Sequence, residues 1–442
     1  MSKKKNIKTD KFSGLSDVQL TDAYRYMLIS RFTDDRIEKL IKQGKASFLI
    51  SGSGHEAIQV ACGMVMKPEK DWSICYYRDN AFGIALGITY TDILRHAMGK
   101  ETDPFTGARQ MCIHMGSKEL RMPTPSSPTG SQYLQAVGIA MSCVFRNTNE
   151  IVYVSGGEGS TSEGEFFEAV NWASRERLPV IFCIQNNKYA ISVRVENQIT
   201  GGSILKAISG FEGLHRFHID GTDFLESYKT AREAAQLARK GKGPSLIYAD
   251  VVRLRSHSVS DAQEKYRNKE ELEEDKAKDP IKKIETLLIE NKILSEEKIK
   301  EIKQQLINDI LKTSDEISSE PNPNPDTAEK FMYCPEDEQA IIEYEKTEPK
   351  GQPVVIVDAI NHALHEEMEK NQDMIIYGED IADGKGGVFT ATKGLSTKYG
   401  EKRVFNSPLA EASIVGTAIG LALTGLKPVV EIQFADYIFP AM

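Results

Sequence analysis

Residues 151–192 read IVYVSGGEGSTSEGEFFEAVNWASRERLPVIFCIQNNKYAIS. The apolar run Ile151–Val154 predicts a buried strand, and Val180–Ile184 predicts a second. Between them Glu163–Arg177 predicts a helix, with Phe166, Val170 and Ala173 at helical spacing on its buried face. Further strand-like runs lie at Ser245–Val252, Met374–Tyr377 and Pro428–Phe434. Strands alternating with helices predict an α/β fold of mainly parallel, doubly wound sheets with helices on both faces.

In such a sheet the carboxyl ends of the strands open into the ligand crevice, so Glu158 and Asn187 are expected to face one space from two neighbouring strands. One carboxylate, one amide oxygen and a backbone carbonyl suit Mg²⁺, which keeps an octahedral oxygen shell and shares it with a diphosphate. Gly157 and Gly159 let the backbone approach such a ligand, and a helix starting near Ser162 offers free N–H groups to phosphate. The alternative is a turn that merely joins strand to helix. The run lacks the GxGxxG spacing of a dinucleotide site, and the chain contains no GxxxxGK[ST].

The chain has 442 residues, enough for two large domains or about three of roughly 150 residues. Apolar residues make up 40%, charged ones 27% and aromatics 8%, which excludes a disordered or collagen-like chain. A net charge of −9 supplies no positive field for nucleic acid. MSKKKNIKTDKF has the basic residues of a leader but no apolar run behind them, and no stretch approaches the roughly 18 apolar residues of a membrane span. A cytoplasmic protein is therefore expected. Cys62, Cys75, Cys112, Cys143, Cys183 and Cys334 are scattered without a CxxC pair, as free buried thiols would be.

Ser16 is placed to cap a helix carrying Leu20, Tyr24, Met27 and Leu28, with Gly44 placed to end it. A charged helical region follows Asn268, and three prolines between Glu320 and Asp326 then break it into an extended spacer. The expected divisions are a basic tail at 1–14, a first domain at 15–314, a proline-rich linker at 315–352 and a second α/β segment at 353–442. That segment opens with a helix around Asp358–Glu369 and closes on a strand-like end, Glu431–Tyr437, with no terminal turn or helix expected.

The triplet Gly157-Glu158-Gly159, closed about thirty residues later by Asn186-Asn187, resembles the thiamin diphosphate motif. From about Leu15 to Asp279 the chain resembles the α chain of the decarboxylating component of 2-oxo acid dehydrogenase complexes. QPVVIVDAINHALHEEMEKNQDMIIYGEDI and RVFNSPLAEASIVGTAIGLALTGLKPVVEIQFADYIFPA resemble the start of its β chain, so the two chains look joined in one polypeptide. EIQFADYIFPA is most similar to branched-chain enzymes, whereas Gln185 stands where those often carry an arginine.

The resemblance implies the thiamin-diphosphate-binding fold and a set of roles. Glu158, Asn187 and the Tyr189 carbonyl match the Mg²⁺ ligands, and Gly157, Gly159 and Ser160 lie at the diphosphate. Tyr77 and Arg78 match the pair that binds the diphosphate from another loop. In Ser126-Ser-Pro-Thr-Gly-Ser-Gln132, which reads first as a turn, Ser126, Pro128, Ser131 and Gln132 match a K⁺ site. Ser127 there meets the cofactor, and Thr129 replaces a larger apolar residue beside it. His257 matches an active-site histidine on a flexible loop near the lipoyl access, and Ser258 matches a position phosphorylated in eukaryotic relatives.

Glu411 matches the glutamate that hydrogen-bonds the pyrimidine nitrogen and so promotes proton loss from the thiazolium carbon, and Tyr437 matches the aromatic stacked on that ring. His55-Glu-Ala-Ile-Gln59 lacks the second histidine of HExxH, and Lys269–Asp275 reads as a solvated helix face. Neither is assigned a catalytic role.

The activity implied is oxidative decarboxylation of a 2-oxo acid, of branched-chain type, with acyl transfer to a lipoyl group on a separate acyltransferase. A homodimer of the fused chain is implied as well. A pyruvate or acetoin dehydrogenase is the alternative of the same chemistry, and a non-catalytic assembly protein is the alternative of another class. The last is raised by a β-type part that the resemblance implies to be incomplete at Met442.

Overall fold

The structure, a computed structural model, describes residues 11–333 and 351–442. Cys334, residues 334–350 of the expected linker and most of the basic tail lie outside the described residues. The described residues divide into two compact units between Glu320 and Pro321.

The first unit carries β1 (Trp72–Ile74), β2 (Val152–Gly157), β3 (Val180–Asn186), β4 (Tyr189–Ala190), β5 (Val193–Arg194), β6 (His215–Asp220) and β7 (Ser245–Asp250). β4 and β5 form a small antiparallel hairpin; the others form one parallel sheet in the order β1-β2-β3-β7-β6. Every residue of β3 is buried, as a parallel strand covered on both faces requires. On one face Phe82 stacks on Tyr153 at 4.2 Å. On the other, Phe182 meets Tyr133 and Phe166 at 6.2 and 6.5 Å, from helices Ser131–Phe145 and Gly164–Arg175. Gly157 pairs with Gln185, and Asn186 with Asp250, so β2, β3 and β7 end level and deliver Glu158, Asn187 and Val251 along one edge.

Helix Asp17–Lys42 begins at a capping box between Ser16 and Gln19 and ends before Gly44, whose φ of +70° suits glycine. Its Leu20, Tyr24, Met27 and Leu28 are buried. The crossover helix is shorter than expected: Glu163 is its N-cap, and Arg177 has left the helix with φ +52°. Helix Glu296–Ser318 runs past the expected domain end at 314, because Ile317 is buried and Lys100 Nζ donates to the carbonyls of Ser318 and Glu320. After Glu320 the proline stretch holds a short 3₁₀ turn, Pro325–Thr327, capped by Asn324.

The second unit carries β8 (Met374–Gly378), β9 (Val404–Asn406) and β10 (Lys427–Glu431), parallel in the order β10-β8-β9. Met368, Met374, Ile376, Ile381, Leu395 and Val404 form its core, and Tyr377 stacks on Phe405 at 5.1 Å. Residues 431–437 do not form the expected strand. β10 pairs with β8 only as far as Gly378, where β8 ends, so the ladder stops at Glu431. A 3₁₀ turn at Ala435–Tyr437 and a helical turn at Ile438–Ala441 follow, where no terminal turn or helix was expected.

Among the described residues no helix is long and apolar enough to cross a membrane. The five described cysteines are free and buried.

Candidate functional site

The strand ends of the first unit open into a cleft of about 490 Å³. Tyr77, Arg78, Ser127, Pro128, Thr129, Gly157, Glu158, Gly159, Ser160, Asn187, Tyr189 and His257 all line it, brought together from five stretches of chain. Glu158 opens the 3₁₀ turn Glu158–Ser162 that follows β2. The helix behind that turn begins at Gly164 rather than near Ser162. The two glycines beside Glu158 do different things. A Cβ on Gly157 would meet no atom within 4 Å, so this residue borders open cleft, whereas one on Gly159 would lie 2.5 Å from the Ala190 side chain. Gly159 is thus required by packing against β4. Gly156 is tighter still, since a Cβ there would lie 2.0 Å from the Tyr133 hydroxyl, which is hydrogen-bonded to Ser160 Oγ at 2.6 Å.

Glu158 is buried; its Oε2 accepts the Asn187 N–H at 3.2 Å, and its Oε1 has no partner. Burial pushes its carboxyl up to about 7 against the pull of Arg78 and Arg253. An unpartnered buried carboxylate oxygen, in a cleft that Asn187 and Tyr189 also line, fits a hard cation, which would offset both the burial and the missing bond. Among the described residues no three His, Cys, Asp or Glu side chains cluster as a metal site. The oxygen set here is of another kind, with one carboxylate.

Opposite stands Arg78, whose Nη1 donates to the Ser51 carbonyl at 2.6 Å and whose Nε has no partner. Its Nη2 donates to His257 Nδ1 at 3.4 Å, which leaves Nε2 to carry the proton of a neutral imidazole. Burial, reinforced by Arg78 and Arg253, pushes His257 down to about 4. Arg253, which packs on the cleft wall at Tyr189 and Ile191 and acts on Glu158 and His257 by its charge, was missed. It is buried with Nε unpartnered, its Nη groups donating to the Ile191 carbonyl and to Tyr266, and nothing in its sequence context distinguished it from a solvated arginine. His114, also missed, lines the cleft and accepts the Ser127 hydroxyl at Nε2, because its Nδ1 donates to the Met111 carbonyl. The Tyr189 ring lies under Arg194, Arg253 and Arg267, so its side chain belongs to the wall.

In the 126–132 loop, Ser126 Oγ donates to the Pro128 carbonyl at 2.8 Å and lies 3.0 Å from Ser131 Oγ, while Gln132 Oε1 accepts the Gly130 N–H. Glu411 and Tyr437 belong to the second unit. Glu411 opens helix Glu411–Leu423 after β9 and Tyr437 closes the turn after β10, so both follow carboxyl ends of its sheet. His55 bonds to Gln185 in the interior of the first unit, away from any metal role.

A parallel α/β sheet whose strand ends offer a cation-fitting carboxylate, in one cleft with a buried guanidinium group, defines a protein that binds an anionic, phosphate-bearing ligand. The model of the dehydrogenase E1 component family matches residues 24–326, and that of the transketolase pyrimidine-binding domain matches residues 352–441. The chain is 38% identical over 325 residues to the 2-oxoisovalerate dehydrogenase subunit alpha of Bacillus subtilis, covering 73% of this chain and 97% of that one. It is 32% identical over 298 residues to the pyruvate dehydrogenase E1 component subunit alpha of Mycoplasma genitalium, covering 66% and 79%, and 31% identical over 315 residues to that of Rickettsia felis, covering 71% and 95%. The chain belongs to the dehydrogenase E1 component family and is a thiamin-diphosphate-dependent 2-oxo acid dehydrogenase component, with a β-type pyrimidine-binding segment on the same polypeptide.

Proposed function

We propose that this protein decarboxylates a branched-chain 2-oxo acid of the 3-methyl-2-oxobutanoate type and passes the acyl group to a lipoyl group on a separate acyltransferase. The observation that carries this reading is the buried, half-partnered Glu158 carboxylate facing the unpartnered Arg78 Nε across one cleft. Thiamin diphosphate, when bound, supplies the carbon nucleophile and the electron sink for decarboxylation.

The chain's own groups bind and orient. Glu158, Asn187 and the Tyr189 carbonyl would hold Mg²⁺, while Arg78, Tyr77 and Ser160 would take the diphosphate, with Ser127 and Thr129 lining the same cleft. His257, neutral above its depressed pKa, presents Nε2–H as a donor to a carboxylate or carbonyl oxygen. Glu411 would hydrogen-bond the pyrimidine nitrogen and Tyr437 would supply an aromatic face to that ring. Phe48, Ile50, Met111 and Ile191 give the cleft apolar walls, in keeping with an aliphatic substrate. The clustered oxygens of Ser126, Pro128 and Ser131, with Gln132 beside them, support K⁺ as a structural ion. A homodimer in the cytoplasm completes the reading, the free buried thiols suiting a reducing compartment.

Pyruvate or acetoin is the second reading, favoured by Gln185, which departs from the branched-chain pattern. Reduction of an artificial electron acceptor separates them, read together with release of carbon dioxide from the 2-oxo acids and of acetaldehyde from acetoin. A higher kcat/KM for 3-methyl-2-oxobutanoate supports the first, and a preference for pyruvate or acetoin moves the assignment. Cofactor uptake with no release from any of the three favours an assembly protein.

A further inference from the structure

Behind the cleft lies a set of buried polar groups that the chemistry above does not use. Gln59 is oriented by backbone alone: its Nε2 donates to the Arg78 carbonyl at 3.1 Å and its Oε1 accepts the Ala81 N–H at 3.3 Å. The same Nε2 donates to Gln185 at 2.8 Å, so Gln185 must present its oxygen there, where His55 Nδ1 also lies at 3.0 Å. The Gln185 amide nitrogen is thereby turned the other way, and it donates to Asp79 Oδ1 at 2.7 Å. The second Asp79 oxygen accepts the Ser155 hydroxyl, whose oxygen also accepts the Tyr76 N–H at 3.1 Å. All these side chains are buried. The bonds tie the Tyr76–Asp79 loop, with Arg78 in it, to β2 at Ser155 and to β3 at Gln185, the two strands that deliver Glu158 and Asn187.

We propose that Gln185 and Asp79 are positioning residues, joined by an amide-to-carboxylate hydrogen bond of fixed polarity that sets Arg78 against Glu158 at the spacing a diphosphate needs. This rests on the thiamin diphosphate reading of the cleft. The polarity is fixed because turning the Gln185 amide over would face its nitrogen against the Gln59 nitrogen, which the backbone holds in place. Neither residue touches the ligand; each acts through the loop that carries Arg78.

The test is calorimetric titration of the full chain with thiamin diphosphate and Mg²⁺ at pH 8, above the burial-raised pKa of about 7 at Asp79. Gln185→Glu removes the donor and sets carboxylate against carboxylate, and weakens binding about tenfold or more. Asp79→Asn leaves one donor unpaired, at Gln185 or at Ser155, whichever way its amide turns, and weakens binding too. The two combined restore a donor–acceptor pair with reversed polarity at unchanged net charge, and bring affinity back to within about threefold of wild type.

A purely electrostatic role predicts the opposite for Asp79→Asn, tighter binding of an anionic ligand once a negative charge is gone. That result overturns the proposal, as does wild-type affinity in Gln185→Glu or a combined variant no better than Gln185→Glu alone. Should Gln185→Glu fail to fold by circular dichroism, Gln59→Met, which frees the Arg78 carbonyl, must weaken binding while the combined variant retains it; the reverse order overturns the proposal. Wild type that takes up no thiamin diphosphate refutes the cofactor reading instead, so the two failures are distinguishable.

Discussion

His257 stands where two guanidinium groups and burial hold it neutral, with a pKa pushed down to about 4 from an ordinary 6.5. The unfolded chain takes up the proton near 6.5 and the folded one does so only near 4, so this group's contribution to stability is complete above pH 6.5 and is lost as pH falls from 6.5 through 4. His55, deeper and pushed down to about 3 by burial, acts in the same direction. His257→Gln should therefore flatten the acid side of the stability curve, recovering on the order of 1–3 kcal/mol near pH 4. Urea unfolding at pH 4.5 and 7.5 reads this, and an unchanged pH slope would show that His257 is solvated. The meeting of Glu158 and Asn187 in one cleft was legible from sequence because both follow the ends of neighbouring strands about thirty residues apart. The bonding of Gln185 was not, since His55, Gln59, Asp79 and Ser155 reach it from distant parts of the chain, and its donor and acceptor ends are fixed only once they meet.

At the scale of elements, the strand, helix and strand of residues 151–192 could be read because buried parallel strands are continuous apolar runs and the helix repeats every three to four residues. Residues 431–437 misled for the same reason: an apolar run with aromatics reads as strand, but a strand also needs a neighbour, and β8 has ended by Gly378. The turn after β2 makes a sharper prediction. Gly156→Ala drives a Cβ into the Tyr133 hydroxyl and should destabilise the fold by roughly 1–3 kcal/mol. Gly157→Ala meets nothing in the protein, so it should leave the melting temperature in place and weaken cofactor binding by narrowing the cleft. Thermal melts and calorimetry on the pair should dissociate the two effects. Equal behaviour in both assays would contradict the assignment of Gly157 to the cleft.

For the molecule as a whole, one polypeptide carries an E1-type unit and a pyrimidine-binding segment, each with a parallel sheet and expected cofactor residues at its strand ends. Both classes of unit were legible, because each has its own run of strands and helices. The division at Glu320 was placed early, since a charged helix end resembles a linker until Ser318 and Glu320 are seen capping Lys100. If both units serve one cofactor, Glu411→Gln should leave its binding nearly intact, because the diphosphate contacts proposed above lie in the first unit. It should slow exchange of the thiazolium carbon's proton for deuterium by about 10² to 10⁴. NMR of quenched samples gives those rates, and equal rates would remove Glu411 from the mechanism.

The claim on which the rest depends is that the cleft at the end of β2 and β3 takes thiamin diphosphate through a cation on Glu158. Calorimetric titration of the full chain with thiamin diphosphate, with Mg²⁺ and with a chelator, and again on Glu158→Ala, tests it most directly. Saturable binding that requires Mg²⁺ and weakens about tenfold or more in the variant is the predicted result. Binding indifferent to both the metal and Glu158 would contradict it.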